Sequence, residues 1–509
     1  MKSKRNGFWN IPVFALLFAI LAVISIGCAS ADTIYVPEEG NQTIQQAVNN
    51  ASEGDTIIVR DGTYTENVDV NKRLTIKSEN GSACCFVDAT GKSYGFVVTV
   101  DYVNITGFTV TNASSVGVYL GGAWYCNISD NTASDNGYCG IWLYSSSNNN
   151  MLINNNASNN GDDGIYIHSS NNNTLTDNTI NNNSDDGIYI YYSNNTTLTE
   201  NTVDYNGDDG VYMEHSDSNR LTNNNPSNNG NDGIYLRSSD YNTLTNNIAS
   251  KNRFHGIYLE YWCNNNTLIG NNASNNYEGI MLSFSSNNNL TNNTANNNDC
   301  GGVHLDSSDS NTFIGNNASN NNNDGICLYG SSNNALTSNI ILDNDHGIYL
   351  HQSCNNRITS NTADSNNDDG IRLQWSSNNN ILYHNNLINN TNYNAYDDGI
   401  NQWDSGSEGN YYSDYTGTDL DDDGIGTDPY PIHDGSSIDR FPLMHPWGKP
   451  PLKGDLDDDD KITSTDAAIA LQIAVGSRPF DDAADVSGDG RVSSLDALMI
   501  LQKITLKNY

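Results

Sequence analysis

The sequence is poor in basic residues. Only 22 of its 509 residues are Lys or Arg, against 60 Asp or Glu, so the formal net charge is −38. A chain this acidic repels the phosphate backbone, which argues against nucleic acid as a partner. The same balance is compatible with bound calcium and with solubility outside the cell.

Apolar residues are also scarce. They make up 36% of the chain, which is too few for one compact globule of this length. Ile, Leu and Tyr nevertheless recur at regular intervals, which is not typical of a disordered chain. The composition therefore favours an elongated repeat over either alternative.

Long apolar runs are lacking apart from one near the N-terminus. Basic residues precede the apolar run 11–26, and the small residues 29–31 fit a signal-peptidase site. The pattern predicts an export signal over 1–31, a secreted or cell-surface protein, and no membrane span once the signal is removed. A second interpretation stays open, because 25–28 partly resembles a lipoprotein box that ends in Cys28.

Cysteines with metal-ligand spacing are lacking as well. Eight of the nine cysteines follow the signal segment, and none forms a CxxC pair. An exported setting permits disulfides, but the spacing shows no disulfide framework. We expect each cysteine to fill a position of the repeat singly.

What the sequence does contain is a repeat of about 23 residues. Each unit carries a Gly-apolar-X-apolar block and, in step with it, an apolar residue followed three places later by Asn, as in Leu175 and Asn178. The short apolar pieces alternate and are separated by turn formers, which is typical of strands. The glycines that mark the blocks are Gly117, Gly140, Gly164, Gly187, Gly210, Gly233, Gly256, Gly279, Gly302, Gly325, Gly347 and Gly370.

A single unit of this repeat is not stable alone. Its roughly five buried apolar side chains contribute about 10 kcal/mol, whereas ordering its residues costs about 35 kcal/mol. Units must therefore stack, with equivalent strands about 4.8 Å apart and the recurrent Asn forming a side-chain ladder. The predicted fold class is an all-β, right-handed parallel β-helix over 32–385, capped by a short helix at 43–48 and followed by a closing segment, 386–447.

The opening stretch 43–80 looks like the start of carbohydrate-binding and sugar-hydrolase β-helix domains. Residues 32–447 as a whole resemble the periplasmic copper-processing (NosD-type) branch of that family. The run Asn410-Tyr411-Tyr412-Ser413-Asp414-Tyr415 and the later Pro442-Leu443-Met444 are similar to the closing motif of that branch. The resemblance implies the fold, and through the family name it implies copper maturation as one possible role.

After a linker at 448–453, the composition changes to two acidic loops 30 residues apart. Each places oxygen-bearing residues at positions 1, 3, 5, 7, 9 and 12 of a calcium loop, with position 7 contributing a backbone carbonyl. The sequence therefore predicts Ca²⁺ as the cofactor of a C-terminal domain, 454–509. The predicted ligands are Asp455, Asp457, Asp459, Lys461, Thr463 and Asp466 in loop 1, and Asp485, Ser487, Asp489, Arg491, Ser493 and Asp496 in loop 2.

Each loop runs into one apolar helix, 467–475 or 497–504. This duplicated arrangement resembles a type I dockerin over 454–505. The resemblance implies a cohesin-type domain on another protein as partner, contacted through Ser464, Thr465, Ser494 and Leu495. A calcium-stabilised end module without a partner is the alternative.

A third acidic loop lies in the closing segment. Asp419, Asp421, Asp423 and Asp428 have a spacing similar to that of a calcium loop. This loop is predicted either to hold a third calcium ion or to be an ordinary Asp-rich turn.

The marked strand also predicts an outward row of aromatic residues, which is called the aromatic row below. It has two interpretations: a polysaccharide- or glycan-binding face, or tyrosines that suit strands and stack on one another. The row comprises Tyr119, Trp142, Tyr166, Tyr189, Tyr212, Tyr235 and Tyr258.

Catalysis would need residues that break the repeat. Acid pairs such as Asp162-Asp163 recur at one repeat position, which indicates turn chemistry rather than the two carboxylates of a glycosidase. Of the histidines, His304, His346 and His351 lie on nearby coils but at different repeat positions, which argues against copper. We therefore predict an exported carbohydrate-binding protein, with a polysaccharide hydrolase or lyase as the alternative and copper maturation as the lesser one.

Overall fold

The computed structural model describes residues 31–37, 42–421, 423–448, 453–456, 461–479 and 481–506. These residues belong to two compact units, divided between Thr202 and Val203. Each unit contains parallel β-solenoid, so the predicted parallel β-helix architecture is confirmed. The predicted export signal, up to residue 30, and residues 449–452 of the predicted linker lie outside the described residues.

The N-terminal unit builds three parallel sheets. The sheet that contains the Gly-apolar-X-apolar blocks is called the glycine-led sheet, and its strands here are Val68–Val70, Tyr94–Val98, Val116–Gly121, Ile141–Tyr144, Ile165–His168 and Ile188–Tyr191. The leucine sheet contains Thr33–Val36, Thr56–Val59, Thr75–Ser78, Asn104–Thr106, Asn127–Ser129, Met151–Ile153, Thr174–Thr176 and Thr197–Thr199. The third face contains Gly62–Tyr64, Cys85–Asp88, Thr109–Thr111, Thr132–Ala133 and Thr179–Asn181.

The C-terminal unit repeats the three faces. Its glycine-led sheet contains Val211–Glu214, Ile234–Arg237, His255–Glu260, Glu278–Ser283, Val303–Asp306, Ile326–Tyr329, Ile348–His351, Ile371–Gln374 and Ala395–Asp397. Its leucine sheet contains Arg220–Thr222, Thr243–Thr245, Thr267–Ile269, Asn289–Thr291, Thr312–Ile314, Ala335–Thr337, Arg357–Thr359 and Ile381–Tyr383. The strand Thr202–Asp204 contains the division between the units. The remaining strands are Ile340–Leu342, Thr362–Asp364, Asn386–Ile388 and Tyr411–Tyr412, with the antiparallel pair Tyr430–Pro431 and Ile438–Asp439.

Equivalent residues of successive coils pair in register. In the leucine sheet, Leu244 pairs with Leu268 and Leu268 with Leu290, although the two intervals are 24 and 22 residues. These side chains are fully buried, so they stack into an apolar column along the interior. The turns absorb the extra or missing residue and leave the inward positions unchanged, because a slip of one residue would turn every side chain to the other face.

Buried asparagines form ladders at the turns. In one of them, Asn293 Nδ2 donates to Leu268 O at 2.9 Å and to Asn316 Oδ1 at 3.0 Å, while its own Oδ1 accepts from Asn271 Nδ2 at 3.0 Å. The sequence predicted this column. Two more asparagine columns are represented by Asn298 and Asn311. Their side-chain oxygens accept the backbone N–H groups of Asn276 and Asn288, the equivalent residues one coil earlier. Each buried amide thereby finds partners in the coils before and after it.

Three α-helices occur in the described residues. Helix α1, Ile44–Asn50, begins at Thr43 with a reciprocal capping box involving Gln46, and it confirms the predicted short helix. Helices α2, Ser464–Ala474, and α3, Ser494–Leu506, lie in the C-terminal domain with a 3₁₀ turn, Asp482–Ala484.

The C-terminal domain has a small core of its own. Helices α2 and α3 pack on each other around Leu456, Ile469, Ala470 and Ile500. In the described part of the chain, no helix has the length and apolar character that crossing a bilayer requires.

Candidate binding face and calcium loops

The aromatic row is present on the glycine-led sheet of the N-terminal unit. Tyr119 pairs in register with Trp142, Trp142 with Tyr166, and Tyr166 with Tyr189. The Trp142 and Tyr166 rings stack at 5.5 Å and 9°, and the Tyr166 and Tyr189 rings at 4.9 Å and 2°. From Trp142 to Tyr189 the row is therefore a continuous aromatic stack, whereas Tyr119 meets Trp142 edge-on at 71°.

The C-terminal unit carries the same row. Tyr212 and Tyr235 stack at 4.8 Å and 9°, and Tyr235 and Tyr258 stack at 5.1 Å and 9°. The Tyr235 hydroxyl also donates a short hydrogen bond to the Glu260 carboxylate.

The row is less exposed than its outward position predicted. Its members are half-buried and Tyr166 is only 8% exposed, because each ring covers the face of its neighbour. A sugar ring stacks on an open aromatic face, so most of this row offers a ligand ring edges and hydroxyl groups. The geometry favours a stabilising role for the stacked rings.

Open aromatic faces lie instead at the turn after the glycine-led strands. Trp262 is 69% exposed, Phe284 46% and Tyr261 40%, and the Tyr261 and Phe284 rings stack at 5.9 Å and 9°. Their φ angles are +65°, +49° and +51° respectively, a left-handed region in which bulky side chains are rare. The sequence analysis missed this cluster, called the aromatic turn below. Large aromatics at a turn position that Ser or Gly occupies in later coils were the available signal.

Buried aspartates precede the glycines of the marked blocks. Asp163 Oδ1 accepts from the Asp186 N–H at 3.3 Å, and Asp209 Oδ1 accepts from the Asp232 N–H at 2.8 Å. Burial is the main cause that raises the pKa values of Asp163 and Asp209 well above the usual range. Because these carboxyl groups bond the equivalent residue of the next coil, they act as turn connectors, as the sequence indicated.

The aromatic row ends after Tyr258. The next three positions of the same column are Met281, His304 and Cys327, which pair in register. Titratable side chains surround this break. The sequence analysis did not group them, because the residues in contact lie on neighbouring coils and occupy different repeat positions.

Two chains of ion pairs flank the break in the row. In the first, His255 lies 2.9 Å from Asp232 and 3.6 Å from Glu278, and Glu278 lies 3.3 Å from His304. Burial disfavours charge on His304, but the hydrogen bond and charge of Glu278 outweigh this and raise its pKa.

The second chain lies on later coils. His346 lies 2.9 Å from Asp324 and 3.2 Å from Asp368, and Arg372 lies 2.6 Å from Asp369. Burial disfavours charge on His346, but Asp324 outweighs it and the pKa is raised. The sequence analysis named His304 and His346 singly but did not predict that each would contact acids of neighbouring coils.

Loop 2 of the C-terminal domain is preorganised around two carboxylates. Asp485 accepts the backbone N–H groups of Gly488 at 2.8 Å and Gly490 at 2.7 Å. Asp496 accepts those of Ser487 at 2.9 Å and Ser493 at 2.8 Å. Burial opposes ionisation, but these donors outweigh it and lower the pKa of Asp496 to about 2.

Loop 1 repeats the pattern where it is described. Asp466, the counterpart of Asp496, is fully buried and accepts the N–H groups of Leu456 and Thr463, both at 2.6 Å. Asp457 and Asp459 lie outside the described residues. The described ligands of both loops are oxygen donors that converge within a loop, which fits a hard cation such as Ca²⁺.

The third loop brings together three of its four predicted residues. Ligand atoms of Asp419, Asp421 and Asp423 lie within 4.8 Å of one another. Asp428 is absent from that group, and its backbone carbonyl accepts from the Tyr415 hydroxyl at 2.6 Å. Asp419 also accepts the Gly424 N–H at 2.8 Å, and Asp423 accepts the Ile425 N–H at 2.9 Å, so the loop contains an Asx turn whether or not it holds an ion.

The predicted partner residues are all on the surface. Ser464, Thr465, Ser494 and Leu495 are exposed. Around them the two helices expose a set of apolar side chains that the sequence analysis did not name. The exposed fractions are 46% for Leu471, 78% for Val475, 52% for Leu495, 51% for Leu498 and 44% for Leu501.

Fold and loops together define a β-helix protein with a C-terminal domain of the dockerin type. The profile described as type I dockerin domain matches residues 453–505. The profile described as periplasmic copper-binding protein (NosD) matches 48–232, 206–322 and 261–417. The chain therefore belongs to the NosD family, as its β-helix sequence indicated.

Individual relatives match less of the chain. A cell surface glycoprotein of Methanothermus fervidus is 35% identical over 137 residues, which are 26% of this chain and 22% of the glycoprotein. The A-module of a mannuronan C-5 epimerase from Azotobacter vinelandii is 14% identical with a TM-score of 0.39, covering 70% of this chain and 92% of the module. A periplasmic alginate epimerase is 18% identical with a TM-score of 0.40, covering 61% of this chain and 84% of that one.

The family description names copper, and the clusters of His, Cys, Asp and Glu side chains show whether this chain has ligands that suit it. His304 and His346 occupy different columns of the sheet, and His351 a third. Among the described residues, every group of three His, Cys, Asp or Glu ligand atoms within 4.8 Å holds at least two aspartates. Copper prefers imidazole, thiolate or thioether, so these preformed clusters do not fit it.

Proposed function

We propose that this chain is an exported, surface-associated protein whose dockerin domain attaches it, in a calcium-dependent way, to a cohesin-type domain. The observation that carries the proposal is the apolar surface of helices α2 and α3 beside two calcium loops. The cell surface glycoprotein that matches part of the chain and the predicted export signal support a location outside the cell.

The docking surface is duplicated, as the loops are. Leu471 on α2 and Leu501 on α3 occupy equivalent positions, 30 residues apart, and both are about half exposed. Leu495 and Leu498 extend the apolar surface on α3. A domain this small leaves such side chains in water at a cost, which burial against a partner removes.

Calcium would act by fixing the helix starts. Asp466 and Asp496 each lie in the first turn of a helix and at position 12 of a loop, so one ion would join loop and helix on each side. Loss of calcium would free the loops and misplace the docking helices. Docking should therefore depend on calcium although the contacts are apolar.

Titration calorimetry with a panel of purified cohesin domains tests the docking proposal. We expect at least one sub-micromolar complex in Ca²⁺, no binding in EGTA, and at least a 100-fold loss for the double variant Leu471→Ser/Leu501→Ser. The matched control Leu420→Ser, 78% exposed in the closing segment, should bind like the unaltered protein. Equal affinity in Ca²⁺ and EGTA, or an unaffected double variant, would disprove the proposal.

We also propose that the β-helix binds a polymeric glycan at the aromatic turn. Trp262, 69% exposed, offers an open ring face, which a sugar ring needs. The Tyr261 ring beside it is stacked on Phe284 and has the Arg237 guanidinium over it at 5.5 Å. The predicted aromatic row would contribute hydroxyl groups and edges at one side of this site.

A glycan array with the full chain tests the second proposal. Trp262→Ser should lower binding to any retained glycan about tenfold or more. Trp375→Ser, 63% exposed on a later coil, is the matched control and should leave binding unchanged. Retention that is insensitive to Trp262→Ser, or no retention on the array, would contradict this site.

A further inference from the structure

Charged side chains follow one another at the end of the glycine-led strands, directly before the aromatic turn. Glu214, Arg237 and Glu260 occupy this position on three successive coils and pair in register. The Arg237 guanidinium lies 3.5 Å from the Glu214 carboxylate and 3.9 Å from that of Glu260. One guanidinium is therefore shared between two carboxylates, and Asp306 adds a third carboxylate at the same position two coils after Glu260.

A second set of carboxylates lies directly after the turn. The Asp240 N–H donates to Asp217 Oδ1 at 2.8 Å, and the Asn264 N–H donates to Asp240 Oδ1 at 2.6 Å, so the three residues occupy one position on successive coils. Asn264 follows Trp262 by two residues, and Glu260 precedes it by two. The exposed Trp262 thus stands between one carboxylate that precedes it and another that lies against the residues following it.

These charges decide which sugars the surface accepts. Glu260 and Asp240 lie within about one coil of Trp262, or about 4.8 Å, whereas the Debye length at physiological salt is about 8 Å. Their field therefore reaches a sugar ring that stacks on Trp262. A uronate would meet like charge, and a neutral sugar would gain stacking alone. A sugar that carries an ammonium group would gain stacking, charge attraction and a cation–π contribution.

We propose that the aromatic turn selects polymers of amino sugars in their protonated form, such as polymers of glucosamine. This inference rests on the proposed glycan site and assigns its substrate class. One sugar ring stacks on Trp262, and the ammonium groups of that sugar and of its neighbours along the polymer pair with Glu260 and Asp240. Arg237 does not offset this preference, because Glu214 and Glu260 both hold it.

Titration calorimetry on the full chain, with two oligomers that differ in one group, tests the selection. The first is an oligomer of glucosamine at a pH that keeps its amines protonated, and the second is its N-acetylated form of equal length, which is neutral. We expect the glucosamine oligomer to bind about tenfold more tightly at about 0.01 M salt, where the Debye length is about 30 Å. The difference should fall below about twofold at about 1 M salt, where that length is about 3 Å. A uronic acid oligomer should not bind.

Variants that remove charge locate the selection at the turn. Asp240→Asn/Glu260→Gln keeps an acceptor for the Asn264 N–H and for the Tyr235 hydroxyl. It should lower the affinity for the glucosamine oligomer about tenfold and leave the affinity for the acetylated oligomer unchanged. The matched control removes the same number of charges at exposed turn positions of the N-terminal unit and should leave both affinities unchanged; it is Asp177→Asn/Glu200→Gln.

Two results would overturn the selection and leave the glycan site standing. One is Trp262-dependent binding of a neutral or acidic glycan that is at least as tight as that of the glucosamine oligomer. The other is a preference for glucosamine that survives the double variant or is lost equally in the control. Oligolysine that binds as tightly as the glucosamine oligomer would also overturn it, because charge alone would then be recognised. No Trp262-dependent binding of any glycan would instead contradict the site itself.

Discussion

The β-helix and the C-terminal domain both bury aspartates, yet the two regions treat them in opposite ways. Neither side chain is open to solvent, since Asp163 of the β-helix is 2% exposed and Asp496 of the C-terminal domain is fully covered, but Asp163 lies deep in the protein whereas Asp496 has little protein around it. Asp163 accepts one N–H, at 3.3 Å, and a weak contact from the Cys139 thiol, at 3.8 Å. Asp496 accepts two N–H groups and the Ser493 hydroxyl.

Donor number alone does not decide the charge state, because Asp439 accepts four donors and burial still raises its pKa. The pKa of Asp163 is raised by burial, whereas the donors of loop 2 lower that of Asp496. The β-helix therefore connects its coils with neutral amides, apolar columns and carboxyl groups such as Asp163, whose pKa burial raises. The C-terminal domain instead keeps ionised carboxylates ready for a metal ion.

The largest expected loss of stability comes from removing one asparagine of the β-helix ladder. Asn293→Ala would remove the acceptor of the Asn271 N–H, one of the two acceptors of Asn271 Nδ2, and the side-chain donor to the Leu268 carbonyl, at about 1–3 kcal/mol each. We expect the free energy of unfolding to fall by about 5 kcal/mol, measured by urea titration of tryptophan fluorescence. Asn289→Ala, exposed on the same coil, should cost less than about 1 kcal/mol, and equal losses would contradict the ladder account.

The next effect belongs to the C-terminal domain. Asp496→Ala would remove the acceptor of three donors and one predicted calcium ligand. We expect the domain to lose about 4 kcal/mol and its response to calcium. Helical circular dichroism measures this, because α2 and α3 are the two longest helices in the described residues. A β-helix that unfolds together with the domain in this variant would contradict their independence.

Opposite pH responses sharpen the comparison. Burial raises the pKa of Asp439, in the closing segment, from 3.8 to about 6. Its proton therefore stabilises the fold fully below about pH 4, and that contribution, about 3 kcal/mol, is lost as pH rises through about 6. The lowered pKa of Asp496 has the reverse sign, since its contribution is present above about pH 4 and is lost as pH falls towards about 2.

Separate probes follow the two pH responses in calcium-free buffer. Tryptophan fluorescence reports the β-helix and its closing segment, which includes buried Trp403. Helical circular dichroism reports the C-terminal domain, which contains no tryptophan. We expect the thermal midpoint reported by fluorescence to decrease as the pH rises from 4 to 7. The thermal midpoint reported by circular dichroism should instead decrease as the pH falls below 4. Parallel curves would show that the two sets of aspartates do not differ as described.

The smallest effect concerns the aromatic row. Tyr235→Phe keeps the stack on Tyr212 and Tyr258 but removes the hydrogen bond to Glu260. Tyr235→Leu removes both. If stacking stabilises the sheet, Tyr235→Leu should be about 1 kcal/mol less stable than Tyr235→Phe, measured by urea unfolding. Equal stabilities of the two variants would contradict a stabilising role for the stacked rings.

The repeat made much of the fold predictable. An interior column such as Leu244, Leu268 and Leu290 follows from apolar periodicity, because only one register buries every leucine. The calcium-loop ligands Asp485 and Asp496 follow from local spacing, since both lie within one loop. Signals of this kind are contained in one coil or one turn.

Features that depend on side-chain direction across coils were not predictable in the same way. One chain of contacts joins Asp232, His255, Glu278 and His304. Glu278 directly precedes the marked glycine of its coil, whereas His304 follows the marked glycine of its own coil by two positions. The covered faces of Tyr166 and Tyr189 likewise depend on ring orientation, which spacing does not determine.

Hydrogen exchange of the full chain, with calcium and then with EGTA, most directly tests whether calcium acts on the C-terminal domain alone. The account predicts strong protection of the 56–412 strand amides in both conditions, and protection of 464–474 and 494–504 that falls at least tenfold in EGTA. Calcium-dependent protection throughout the coils, or helices equally protected in both buffers, would contradict it.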